Sequence, residues 1–194
     1  MSLLEVAPTD LAAVVTYLEM RAKPEVVIPP SPLHLERHEH MSPIAYRALF
    51  RLVGSRWLWF SRLLNSDADL IALLHGPQLH LFTVVDQSSR DVGMLELDFQ
   101  RAGECELSFV GLVPDLAGQG HGRWLLAEAV SRAWAGNGVT RVHVHTCTLD
   151  HPAALATYVR AGFTAVRRAI ETFPDPRRGG ILPANCAPQI PMLG

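Results

Sequence analysis

The run LVPDLAGQGHGRWLLAEAV, residues 112–130, decides how this chain is read. It joins the end of a strand-like segment, 104–113, to a helix over 120–135 whose apolar set includes Leu125, Leu126, Ala129, Val130, Ala133 and Trp134. Between them stand Gly118, Gln119, Gly120, His121 and Gly122. Alternating glycines allow a tight turn that aims successive N–H groups outward, and at a helix N-terminus such groups form an anion site. Arg123 lies in the first helical turn, where a purely structural helix would favour an acid; beside a phosphate it would add a charge-assisted contact. The plainer reading is a flexible strand-to-helix turn. Two familiar phosphate loops fit poorly. A P-loop needs Lys and then Ser or Thr after its glycines, and here Arg123 and Trp124 follow. A dinucleotide fold would seek its ribose acid near Asp150, but the segments before the turn do not form a Rossmann start.

Those preceding segments are strand-like at 78–85, 92–99 and 104–113, with turn residues at 86–91 and 100–103. Their short links predict an antiparallel meander. After the helix come a strand at 139–146, a short helix at 152–161 and a strand at 163–172. This order predicts a mixed α/β fold with a parallel pair, joined by a right-handed crossover, inside an otherwise antiparallel sheet. Upstream, 3–6 reads as a short strand, and Thr9 or Asp10 as the cap of a helix to Met20 with Leu11, Val14, Val15 and Leu18 on one face. Residues 24–35 hold four prolines and read as a loop. Helical pattern resumes at Pro43 and runs through Phe50 and Leu52, and Ser66 with Asp69 resembles a capping box for a second helix ending at Gly76. Residues 174–194, with five prolines, read as an irregular tail, either wrapped on the surface, disordered or a functional lid.

Composition narrows the class. The 194 residues suit one domain, with 48% hydrophobic and 19% charged residues, which excludes a long disordered chain. The net charge of -2 and the single lysine, Lys23, show no basic excess for nucleic acid. Cys105, Cys147 and Cys186 are too few and odd in number for a disulfide framework, so a reducing compartment is expected. No signal peptide or membrane-spanning run is apparent, and the expectation is a cytoplasmic protein without a membrane partner.

With VHVHTCTLDHPAALATYVRAGF, residues 142–163, the glycine run resembles the GCN5-related N-acetyltransferase (GNAT) family. In that family a Leu/Val-x-Pro step ends a strand, an (Arg or Gln)-x-x-Gly-x-(Gly or Ala) turn wraps the pyrophosphate of coenzyme A, and a Tyr-x-x-x-Gly-Phe follows. Pro114, Gly120, Gly122, Tyr158, Gly162 and Phe163 match; Ala117 departs from the first turn position. The close resemblance spans about residues 92–172. It implies an acyl-CoA N-acyltransferase fold over 1–173, with a mostly antiparallel sheet, one splayed parallel pair and helices on both faces, followed by the Pro-rich tail 174–194. It implies acetyl-CoA as cofactor, held by Leu112, Val113, Gly118, Gln119, Gly120, His121, Gly122 and Arg123. His151 occupies a position near the pantetheine where the family often has asparagine. Binding weakened by Ala117, with partial compensation by Arg123, is expected.

Acetyl transfer to an amine requires a neutral amine about 3 Å from the carbonyl, an oxyanion donor and a protonated leaving thiolate. Strict alternation over 104–113 would put Glu104, Glu106, Ser108, Val110 and Leu112 on one strand face. An acid among apolar strand positions can be a base of raised pKa. The resemblance puts the family's frequent base at Glu106, with Glu104 and Glu96 as rivals and a solvent-facing carboxylate as the alternative. It puts the general acid at Tyr158, against a structural core phenol. The backbone N–H of Leu112 or a neighbour is the expected oxyanion donor.

His143, His145 and Cys147 alternate on one strand, which the period of two produces without any metal, and residues two apart are about 7 Å apart at Cα. His34, His38 and His40 read as an exposed polar segment. No metal site is expected. Arg56, Trp57 and Phe60 are the candidate acceptor-binding residues, as a pocket wall or as a helix packed on the sheet. Arg56 and Arg62 together would favour an acceptor carrying a carboxylate or phosphate. The chain thus reads as an N-acetyltransferase for a small-molecule or peptide amine, or as a non-catalytic acyl-CoA binder or sensor on the same fold. Edge strands make a homodimer an option.

Overall fold

The computed structural model describes residues 3–193. Seven strands form one sheet: β1 (Asp10–Met20), β2 (His34–His38), β3 (Leu79–Val85), β4 (Asp91–Asp98), β5 (Glu104–Leu112), β6 (Arg141–Cys147) and β7 (Thr164–Pro174). Their order is β2-β3-β4-β5-β6-β1-β7. Five neighbouring pairs are antiparallel, and β5 with β6 is the parallel pair. The expected meander is β3–β4–β5, and the mixed, mostly antiparallel sheet is as the sequence predicts.

Four helices cover it: α1 (Pro43–Gly54), α2 (Asp67–Leu74), α3 (His121–Trp134) and α4 (Ala154–Arg160). The Ser42 hydroxyl accepts from the Ala45 N–H ahead of Pro43, and Ser66 and Asp69 form the full reciprocal capping box of α2. One side of the sheet packs α3 through Trp124, Leu125, Ala129 and Ala133 against Leu95, Leu107 and Val142. The other packs α1 and α2 through Tyr46, Phe50, Val53 and Leu70 against Leu81 and Met94. Tyr46 donates to the fully buried Glu96 carboxylate at 2.6 Å, and the Arg62 guanidinium pairs with the same carboxylate. This ties the segment after α1 to the sheet.

Two N-terminal expectations are corrected. Residues 10–20 are a strand, inserted between β6 and β7, and residues 3–6 are irregular. In β1 the buried positions are Ala13, Val15, Thr16, Leu18 and Met20. The alternation slips at Val15 and Thr16, so the apolar spacing imitates a helical period, while two flanking strands supply the backbone partners that make the segment a strand. His34 and His38 likewise belong to an edge strand, β2, with the His38 imidazole 2.8 Å from the Thr83 hydroxyl.

Residues after β7 are packed and irregular. Arg177 and Asp175 are both buried; the guanidinium pairs with the carboxylate at 2.7 Å and donates to the carbonyls of Cys186, Ala187 and Ile190. Leu182 and Ala187 enclose Leu58, so the segment buttresses the chain after α1. Replacing Arg177 by alanine would leave the Asp175 charge buried without its guanidinium and take one donor from each of three carbonyls, of which only Ala187 keeps a further partner, the Ile190 N–H. The expected cost is about 3 kcal/mol in urea unfolding, with faster proteolysis between residues 177 and 190. Wild-type stability in both measurements would show that the pair is not what holds the segment.

Candidate active site

The parallel β5–β6 pairing lasts only three residue pairs, ending at Glu106↔His143. Beyond it β5 continues to Leu112 and β6 to Cys147, and the strands part. The fork opens into a cleft of about 1380 Å³. Val113 donates its N–H to the Val92 carbonyl on β4. Backbone alternation therefore turns the N–H groups of Leu112 and Val110 toward the fork.

A bulge shapes the β5 wall. Phe109 faces Glu96 while Leu107 faces Leu97, which leaves Ser108 as the extra residue. Cys105 and Leu107 before it, and Val110 and Leu112 after it, pack on the α3 side; Phe109 packs on the α1 side. This corrects the single-face reading of Glu106, Ser108, Val110 and Leu112: Glu106 faces away from α3, opposite to Val110 and Leu112.

The glycine turn forms one mouth of the cleft. Gly118 and Gly120 have φ of +77° and +84°, and Gly120 is the N-cap of α3 without any side-chain cap. Left-handed backbone of this kind disfavours any residue with a Cβ. Among the described residues, the N–H groups of 118–122 have no protein acceptor, and the first turn of α3 carries no acid. Five orphan donors at a positive helix end, in the same cleft as an opened strand edge, fit a long donor with an anionic end and a chain of amides. Gly118, Gly120, Gly122, Arg123, Leu112 and Val113 line the cleft together with Ala117, whereas Gln119 and His121 are not on its wall. The Gln119 side chain instead donates to the Asp115 carbonyl at 2.8 Å.

The segment 55–64 crosses the other side as an aromatic arm. Leu58 has φ +55°, a left-handed conformation costing a leucine about 1 kcal/mol, and its side chain is buried between Leu182 and Ala187. That anchor leaves Trp57 and Trp59 on the cleft wall. Trp59 donates to Asp150 at 3.3 Å, and Trp57 meets His151 edge to face at 5.2 Å. A Cβ on Gly111 would lie 2.7 Å from Val53 and 3.0 Å from the Trp59 ring, so the missing side chain lets the arm close on β5. Phe60 stacks at 5.1 Å on Phe173. Trp57 and Phe60 thus line the cleft; Arg56 does not, its guanidinium lying 5.8 Å from the Trp57 ring. Arg62 lines it too, but Glu96 balances its charge, which removes the argument for an acidic acceptor.

Comparison with known proteins gives the family and the fold. Residues 46–163 match the Acetyltransferase (GNAT) family. The chain belongs to that family. Among solved structures it resembles a GCN5-related N-acetyltransferase from Sphaerobacter thermophilus, with a TM-score of 0.56 and 19% identity over 84% of this chain and 52% of the other. One from Kribbella flavida gives 0.54 and 17% over 83% and 57%. An aminoglycoside acetyltransferase from an uncultured soil metagenomic sample gives 0.56 and 19% over 72% and 93%. The chain therefore spans little more than half the length of the first two. A search of curated proteins gives no match. No helix among the described residues is long and apolar enough to cross a membrane.

In this GNAT fold Glu106 and Tyr158 both line the cleft. The Glu106 carboxylate lies 3.2 Å from Nδ1 of His145, and that hydrogen bond holds it below the usual carboxylate range despite burial, with His143, His145 and Arg101 adding to the effect. The expectation of a raised carboxyl pKa is thus corrected. Burial, and then Asp150, push the Tyr158 phenol well above its ordinary value. Its ring meets Phe163 at 5.9 Å, and its hydroxyl bonds no protein group among the described residues. Sequence reasoning placed Trp59 in the aromatic stretch 56–62 and weighed Asp150 only as a ribose acid; it did not foresee their contact. Asp150 accepts from the Thr146 hydroxyl at 2.8 Å and the Cys147 N–H at 2.9 Å, so it ties the arm to the end of β6. The LDHP turn was the only available signal.

Cys147 also lines the cleft, and its thiol is pushed up to about 11, by burial and then by Asp150. It is therefore a thiol rather than a thiolate at neutral pH. Iodoacetamide mapping should show Cys147 nearly inert at pH 7, with alkylation rising about tenfold per pH unit toward pH 10. Rapid labelling already at pH 7 would contradict this environment.

Proposed function

We propose that the protein is an acetyl-CoA-dependent N-acetyltransferase acting on a primary amine of a small molecule or peptide. The observation that carries this reading is the joining, in one cleft, of the β5–β6 fork and the five orphan N–H groups of residues 118–122. Acetyl-CoA supplies an activated acetyl thioester. The turn N–H groups and Arg123 hold its pyrophosphate, and the open edge of β5 pairs with the pantetheine amides, as a neighbouring strand would. The N–H of Val110 or Leu112 stabilises the oxyanion. Tyr158, protonated at neutral pH, donates to the departing sulfur. Glu106, ionised, faces the amine and draws its ammonium to the fork.

The cleft suits an amine. Trp57, Trp59, Phe60 and Phe173 give it an aromatic wall, and Glu106, Asp150 and Glu171 give it carboxylates. An aminoglycoside acetyltransferase shares the fold and supports the same class of acceptor.

Thiol release from acetyl-CoA with a panel of amines tests this reading. Tyr158→Phe should lower the rate about 10²-fold with coenzyme affinity unchanged. Gly120→Asp, which adds a Cβ at positive φ and a negative charge at the anion site, should weaken coenzyme binding about tenfold or more by calorimetry. Tight coenzyme binding without turnover of any amine would favour the non-catalytic binder. Unchanged affinity in Gly120→Asp would remove the turn from the site.

A further inference from the structure

We propose that the proton acceptor for the incoming amine is the imidazole of His145, and that Glu106 is its positioning residue. The inference rests on the acetyltransferase reading above and assigns a role within it. His145 stands on β6 two residues past His143, the last residue paired with β5, on the same strand face. It is thus the first side chain of that face beyond the apex of the fork. Its Nδ1 lies 3.2 Å from the Glu106 carboxylate, and its ring is on the cleft wall, half exposed. A carboxylate at this distance takes the Nδ1 proton as donor and leaves the Nε2 lone pair for another proton. Nε2 bonds no protein group among the described residues.

Chemistry separates the two partners. Glu106 is held ionised by His145 first, so alone it is a weak base near neutrality. His145 is raised above its ordinary value, chiefly by the Glu106 hydrogen bond against burial, with Glu106, Asp150 and Glu171 adding charge. The groups facing it are Glu106 from β5, Tyr17 from β1 at 5.8 Å, Glu171 from β7 and Asp150 from the turn after β6. Arg167 lies over the outer Tyr17 ring at 3.6 Å, and His143 sits beside Glu106 on β6. Three carboxylates thus surround one imidazole, which makes it a stronger base than a free histidine.

The proton balance closes. The acceptor ammonium gives one proton to Nε2, and His145 passes it to solvent. The neutral amine attacks the thioester carbon, forming the C–N bond. As the C–S bond breaks, Tyr158 gives its proton to sulfur and takes the second proton from the new ammonium nitrogen. The products are the amide, the free thiol and one released proton.

Two measurements test the assignment. In the first, the His145 ring is titrated by NMR in the wild type and in Glu106→Gln. A midpoint above about 6.5 that falls in the variant is expected; an identical midpoint overturns the pairing. The second is the pH profile of kcat/KM. The wild-type rate should rise with pH as His145 loses its proton, with a limb above about pH 6.5. His145→Gln should lose that limb and about 10²-fold in kcat, with coenzyme affinity unchanged. Glu106→Gln should keep the limb, moved to lower pH, and lose less activity. A limb that persists unmoved in His145→Gln, or one that vanishes only in Glu106→Gln, overturns the assignment in favour of Glu106 or water. If the imidazole and carboxylate prove coupled by NMR but the wild type acetylates no amine, the acetyltransferase reading falls and this role falls with it. A normal wild-type rate with an unmoved His145→Gln profile would sink the role alone.

Discussion

The early end of the β5–β6 ladder is the constraint on which the site depends. A parallel pair would ordinarily continue its ladder for as long as both strands run. Here it stops after Glu106↔His143, and the bulge at Ser108 lies immediately beyond. The bulge twists β5 and changes which side chains face α3, so the strand turns its backbone to the cleft while β4 still satisfies the opposite edge. Backbone amides without protein partners are open to another acceptor, water or a ligand; the turn 117–120 is exposed and Val110 and Leu112 are half-buried. The fork and the glycine turn hold two such sets in continuous space, and this is why the architecture reads as a receptor for an extended, amide-bearing donor.

The wall across from the fork is fixed by burial of charge. Glu96 is wholly inside the protein, bonded by Tyr46 from α1 and by Arg62 from the aromatic arm. Burying one carboxylate among two donors costs desolvation, and the cost is repaid only when both partners hold their places. Burial and the neighbouring carboxylate together raise the Tyr46 phenol far above its ordinary value, which keeps it a donor. Arg62 therefore anchors the arm rather than recruiting an anion. The packed residues after β7 act on the same arm from outside, through Leu182 and Ala187 around Leu58 and through Gln189, which donates to the Arg56 carbonyl at 2.7 Å.

The order of elements from residue 43 onward was legible, because its signals are local: Pro43, the Ser66–Asp69 box, short turns between alternating segments, and three glycines before an amphipathic helix. The β1 strand was not. Its identity comes from β6 and β7, more than 100 residues away in sequence, and only those neighbours decide between two periods that share Val15 and Leu18. The same limit applies at Glu106. Its place on a strand could be read, but the bulge that sets its face and the histidine that sets its charge come from pairing. Trp59 and Asp150, 91 residues apart, meet where Gly54 and Gly111 both leave room for the ring.

Proton roles follow from environments that push ionisable groups apart. The phenol of Tyr158 sits half-buried beside Phe163 and is raised by desolvation and then by Asp150, so it is protonated at neutral pH. The imidazole of His145 is raised by charge rather than by desolvation, which makes it basic without burying it away from solvent. The proposed roles use that difference: His145 would release its proton to water, and Tyr158 would hold one for the leaving sulfur. The fork and the helix beside it supply both environments, and Cys147 on the same cleft wall is a protonated thiol.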